Sequence, residues 1–129
     1  MRKPFSRSAV HVFADREQAL ALAREAAARL AAAHEAVTRV LLFGSFARDD
    51  FTVKSDLDLL VVLSSSDRPR AARLDDLLEA LPVYPIDVFA YTEAELRAAS
   101  DDGDAFLLRA LREGIEVYRR QAGHATTQA

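Results

Sequence analysis

The chain has 129 residues, half of them hydrophobic, with 17 Lys and Arg against 20 Asp and Glu, and no cysteine. That length makes one domain around one core, the missing cysteine excludes disulfides and thiolate metal sites, and the formal net charge of −3 argues against a surface that binds nucleic acid directly. No apolar run approaches the roughly twenty residues of a membrane span, and the basic start Met1-Arg2-Lys3 has no apolar stretch behind it, so the expected compartment is the cytoplasm.

Residues 1–14 mix polar and apolar types without a period and read as an arm, with Val10, His11, Val12 and Phe13 available to dock on the body. Asp15-Arg16-Glu17-Gln18 has the form of a capping box. It opens a helix from about Arg16 to Ala33, with Leu20, Leu22, Ala26, Ala27 and Leu30 along one side and Arg24, Glu25 and Arg29 facing out. His11, His34 and His124 share no metal-ligand spacing and receive no role.

Val37 to Phe43 reads as a strand, Gly44-Ser45 as a turn, and Phe46-Ala47-Arg48 as the opening of a short helix. Glycine lets the backbone approach a ligand, and free N–H groups at a helix start favour an anion. The Ser45 hydroxyl can cap the helix or donate to a phosphate oxygen, and Arg48 can neutralise charge. Leu57 to Leu63 is an apolar run closed by Ser64-Ser65-Ser66, the pattern of a buried strand. On a strand, residues two apart face the same way, so Asp56 and Asp58 stand side by side, roughly 7 Å apart along the chain. Two carboxylates there repel, and need cations, hydrogen bonds or solvent to persist. A pair of divalent cations satisfies both and would clamp the attacking and leaving oxygens of a nucleotidyl transfer; carboxylate oxygen is the ligand magnesium prefers.

Proline at position 69 starts a short amphipathic helix over 70–81, with Leu74, Leu77, Leu78 and Leu81 inward. Val83 to Tyr91 is the next strand, irregular or open at Pro85. Asp87 within it is a charge in an apolar strand and needs a partner. Thr92-Glu93-Ala94-Glu95 is a second capping box, opening a helix to about Ala99. Asp101-Asp102-Gly103-Asp104 is a turn capping a last helix, Ala105 to Glu113, with Phe106, Leu107, Ala110 and Leu111 for packing. Gly114 fits its end, Ile115 to Tyr118 forms a short strand or segment, and from Arg119 the composition turns polar, as in a disordered tail. The expected fold is α/β: a small mixed sheet carrying the acids on one face, with helices covering the other. The expected organisation is an arm (1–14), one domain (15–118) and a tail (119–129).

Gly44-Ser45-Phe46-Ala47-Arg48, then Ser55-Asp56-Leu57-Asp58-Leu59-Leu60-Val61 after ten intervening residues, resembles the signature of the DNA polymerase β-like nucleotidyltransferase superfamily. More narrowly it is similar to the minimal nucleotidyltransferases of prokaryotes. One position departs: Asp49 stands where members usually have glycine, adding a negative charge where phosphates would come. The resemblance implies that Asp56 and Asp58 hold two magnesium ions, that Asp87 is the third carboxylate, and that Gly44, Ser45 and Arg48 hold the phosphates of a nucleoside triphosphate, ATP. It further implies an antitoxin that transfers AMP to a tyrosine hydroxyl of a helical HEPN toxin, with the two proteins forming an oligomer or hetero-oligomer. Two other readings stay open: a catalytically silent subunit that binds and neutralises a partner, and a small-molecule nucleotidyltransferase completed by a separate helical subunit.

Overall fold

The structure, a computed structural model, describes residues 16–48, 56–81 and 86–121. The expected arm, the Asp15 cap, Asp49, Ser55, the strand start at Val83 to Pro85, and the end of the tail lie outside the described residues.

Three of the four strands come from the apolar runs. They are β1 (Val37–Phe43), β2 (Leu57–Leu63), β3 (Ile86–Thr92) and β4 (Ile115–Arg119), in the order β3-β2-β1-β4. β1 lies antiparallel to β2 and to β4, whereas β2 and β3 run parallel. A parallel neighbour requires a crossover; here it is a helix, α3 (Arg70–Leu78). The remaining helices are α1 (Arg16–Ala33), the single turn α2 (Ser45–Arg48), α4 (Glu93–Asp101) and α5 (Ala105–Glu113). The expected α/β fold with a mixed sheet is therefore the observed one.

The central strands are buried on both sides, which is why they read as continuous apolar runs rather than alternating ones. Leu57, Leu59, Val61 and Leu63 of β2 join Val40 and Leu42 of β1 in the larger core, against α1 and Leu77 of α3. Leu60 and Val62 join Leu41, Phe43, Leu96, Leu107 and Ala110 in a second core, beneath α4 and α5. Helices thus stand on both faces, not only on the face opposite the acids as the sequence reading had it.

Helix α1 presents alanine to the sheet: Ala19, Ala23, Ala26, Ala27 and Ala31 are buried with Leu30, while Leu20 and Leu22 are only partly buried. Small side chains allow the helix to come close, so the leucines at its margins close the edges of the contact. Arg16 of α1 donates to the carbonyls of Phe46 (2.9 Å) and Ala47 (3.2 Å), tying α1 to α2.

Helix α3 ends at Leu78, three residues short of expectation, and Leu78 is exposed. This helix instead buries Arg73, whose side chain is 6% exposed. Its guanidinium donates to Glu95 of α4 (2.7 and 3.3 Å) and to the carbonyls of Arg68 and Ala90. Glu95 also accepts from the Thr92 backbone while the Thr92 hydroxyl accepts from the Glu95 backbone, the expected capping box. One carboxylate therefore starts α4 and holds α3 across β3.

At the other end, Arg119 belongs to β4, and Arg120 donates to the carbonyls of Ala31, His34 and Val37. The polar composition from Arg119 onward hid this, because Arg120 works by capping the end of α1 rather than by burial.

Arg73→Ala strands the Glu95 carboxylate and two carbonyls, so it should lower stability by about 2 kcal/mol or more in urea unfolding. Part of the charge is rehydrated at the surface, so Glu95→Gln should cost less; equal stability of wild type and Arg73→Ala would mean the network contributes nothing.

Candidate functional site

The strand registers bring one end of the sheet together. Asp58 lies opposite Phe43 of β1 on one side and opposite Asp87 of β3 on the other. Asp58 shares the face of Leu60 and Val62, Asp87 that of Phe89 and Tyr91, and both belong to the side covered by α4 and α5. Asp56 lies just ahead of β2, near enough to Asp87 and Asp58 for the charges to be felt. Asp58 and Asp87 thus stand on neighbouring strands at one sheet end with Asp56 just ahead of β2, Asp58 half-buried and Asp56 and Asp87 exposed.

Gly44 follows directly from β1 with φ +79°, a left-handed conformation that glycine adopts at little cost. A Cβ there would collide with the Asp58 carboxylate, with Oδ2 nearest and Cγ at 3.2 Å. The turn and the acid are therefore in direct contact, and only a residue without a side chain permits it. Ser45 then begins α2, whose one turn closes with Arg48 N–H donating to the Gly44 carbonyl at 3.1 Å.

The carboxylates feel one another. Burial, followed by the charges of Asp87 and Asp56, pushes the Asp58 carboxyl up to about 6, with Arg48 opposing. Burial and then Asp87 raise Asp56 as well. Among the described residues, no three His, Asp or Glu side chains already stand as a closed metal cluster. The donor set nonetheless fits a hard divalent cation: it is all oxygen, and mutual repulsion is what a cation would relieve. Side-chain rotation is the step that would bring these acids onto one ion.

A cavity of about 350 Å³ opens beside Asp58, lined by Phe43, Gly44, Ser45 and Arg48 on one wall and by Phe106, Arg109, Ala110 and Glu113 of α5 on the other. The sequence reading assigned α5 only packing. Leu107 and Ala110 do pack, but Phe106 is 46% exposed, and it meets Phe43 edge-on and Phe89 at a tilt, with centroids 5.6 and 5.4 Å away. The signal for this wall was Phe106 and Arg109 on the flank of an amphipathic helix, which has no meaning until the helix is placed.

Because the folded Asp58 carboxyl binds its proton more tightly than an ordinary Asp at 3.8, its charged form destabilises the fold as pH rises from about 4 through about 6. With chelator present, Asp58→Asn should therefore raise the melting temperature at neutral pH by roughly 4 °C, reflecting about 1 kcal/mol after allowance for solvent. The gain should shrink toward pH ~5. A lower melting temperature at neutral pH would show that the Asp58 charge is stabilising instead.

Residues 23–115 match the nucleotidyltransferase domain family. No curated protein matches the chain in sequence. Among solved structures it is similar to a protein of Sulfolobus solfataricus described as a nucleotidyltransferase, at 21% identity and a TM-score of 0.62, over 81% of this chain and 84% of that one. Looser likenesses join it to a toxin-antitoxin with AMP-PNP (19% identity, TM-score 0.47, 77% and 75% of the two chains) and to a mutant of the toxin-antitoxin MntA-HpeT (17%, 0.43, 84% and 75%). At these identities the structural likeness speaks for the fold. The family match spans well over half of the chain, and it includes β1, the Gly44 turn and the strands carrying Asp58 and Asp87: the chain belongs to the nucleotidyltransferase domain family.

Proposed function

We propose that the chain is a minimal nucleotidyltransferase that transfers AMP from ATP to a tyrosine hydroxyl of a partner HEPN toxin, and so acts as an antitoxin. The observation that carries the transferase reading is the contact of Gly44 with the Asp58 carboxylate. It sets a turn open to phosphate against acids able to hold metal, within one sheet end.

In this reading Asp56, Asp58 and Asp87 would hold two magnesium ions, which when bound supply charge neutralisation for the phosphoryl group in flight. Gly44 allows the triphosphate close to the backbone, Ser45 donates a hydroxyl hydrogen bond to a phosphate oxygen, and Arg48 neutralises charge. Asp87, exposed on its edge strand, would take the proton of the acceptor hydroxyl. The acceptor oxygen bonds to the α-phosphorus, the bond from that phosphorus to the bridging oxygen breaks, and pyrophosphate leaves. Alignment of nucleotide and acceptor, more than covalent help from the protein, lowers the barrier.

The acceptor as a protein side chain, and the partner as a helical toxin, rest on the likeness of the Gly44 to Arg48 and Asp56 to Val61 motifs to minimal nucleotidyltransferases. The open side of the cavity, bounded by exposed Phe106, leaves room for a partner to complete the cleft, which fits a hetero-oligomer. Among the described residues no helix is long and apolar enough to cross a membrane. The cytoplasm, which supplies ATP and magnesium, is the proposed compartment, and 15–118 the proposed catalytic unit.

The test is intact-mass measurement of a candidate HEPN toxin partner after incubation with the purified chain, ATP and magnesium. A gain of one or more AMP groups on tyrosine is expected with the wild type, and none with Asp58→Asn. A toxin that is bound and silenced without any mass gain would make the chain a neutralising subunit. Transfer only to a small hydroxyl compound would move the reaction to a small-molecule substrate.

A further inference from the structure

The cavity beside Asp58 has two walls, the first formed by the Gly44 turn and α2. The second is the last two turns of α5, where Arg109 and Glu113 lie one turn apart and both face the opening. Arg109 Nε donates to Glu113 Oε1 at 3.2 Å. The same oxygen lies 3.7 Å from Nη1 of Arg48 on the opposite wall. One carboxylate thus stands between two guanidinium groups, one from each wall of the cavity. The bond to Glu113 uses the inner N–H of Arg109, and its two terminal nitrogens have no partner among the described residues. An arginine held by Nε with its outer fork open presents the paired donors that match phosphate oxygens.

We propose that Arg109 is a phosphate-binding residue of this cavity, closing on the triphosphate from the side opposite Ser45 and Arg48. This rests on the nucleotidyl-transfer reading above and adds α5 to the binding machinery. The alternative use of Arg109 is as half of a surface ion pair with Glu113. Its side chain is 58% exposed and the pair is spaced i, i+4, a contact that contributes little to a fold. Replacing it should therefore leave the domain folded, which makes binding the discriminating readout.

The experiment is isothermal titration of the full chain with ATP and with AMP, each with magnesium, on wild type, Arg109→Gln and Arg112→Gln. Arg112 is exposed on the same helix and does not line the cavity, so its variant makes the same change in net charge. Arg109→Gln should weaken ATP by about ten-fold while changing AMP by less than about two-fold, as expected for the loss of one charge-assisted contact to the outer phosphates. Arg112→Gln should change neither, and all three proteins should melt alike. Unchanged ATP affinity in Arg109→Gln, or an equal loss in both variants, would overturn the assignment while leaving the transferase reading intact. Wild-type chain with no affinity for either nucleotide would overturn both.

Discussion

The contact between Gly44 and the Asp58 carboxylate is the constraint on which the site depends. It exists because β1 and β2 are antiparallel neighbours in a register that sets Phe43 opposite Asp58. The residue after Phe43 must then leave the sheet within contact of a charged side chain. A left-handed glycine makes that turn without a Cβ in the way. Slip the register by one residue and Asp58 would face the alanines of α1, where a charge has no solvent and no partner. The apolar residues of β2 that bury on both faces hold the register in place, so the core determines the geometry of the polar end.

The parallel pairing of β2 with β3 contributes the third acid by the same logic. Helix α3 carries the chain over the sheet so that β3 starts at the same end as β2, and Asp87 comes level with Asp58. The Arg73–Glu95 pair holds this crossover: it binds α3 to the start of α4, one on each side of β3, and both flank the strand that bears Asp87. A network at one end of the strand thus supports the placement of an acid at the other. Burial first, and the neighbouring acids second, raise the Asp58 and Asp56 carboxyls, and a cation would relieve both.

Helix α5 has two parts in this arrangement. Its inner side, Leu107 and Ala110, closes the second core; its flank, Phe106 and Arg109, forms the far wall of the cavity. An amphipathic helix with a buried stripe and an exposed aromatic beside it positions polar chemistry by means of apolar packing. The Phe43, Phe89 and Phe106 rings meet at the border between core and cavity, so the helix cannot move without disturbing the strand that carries Gly44.

Much of this was legible in the residues alone. Period and run length marked β1, β2 and the helices Arg16–Ala33 and Ala105–Glu113, because short apolar runs and helical stripes reflect burial directly. The spacing of the Gly44 turn to Asp56 and Asp58 carried the family resemblance. What the sequence could not decide was everything that depends on which elements are neighbours. Helices on both sheet faces, Ala19 and Ala23 rather than Leu20 and Leu22 in the contact of α1, a buried Arg73 in place of Leu78, the Arg120 cap and the α5 wall of the cavity all arise from pairings between residues far apart in the chain. A side chain's role there is set by what packs against it, and local pattern holds no record of that partner.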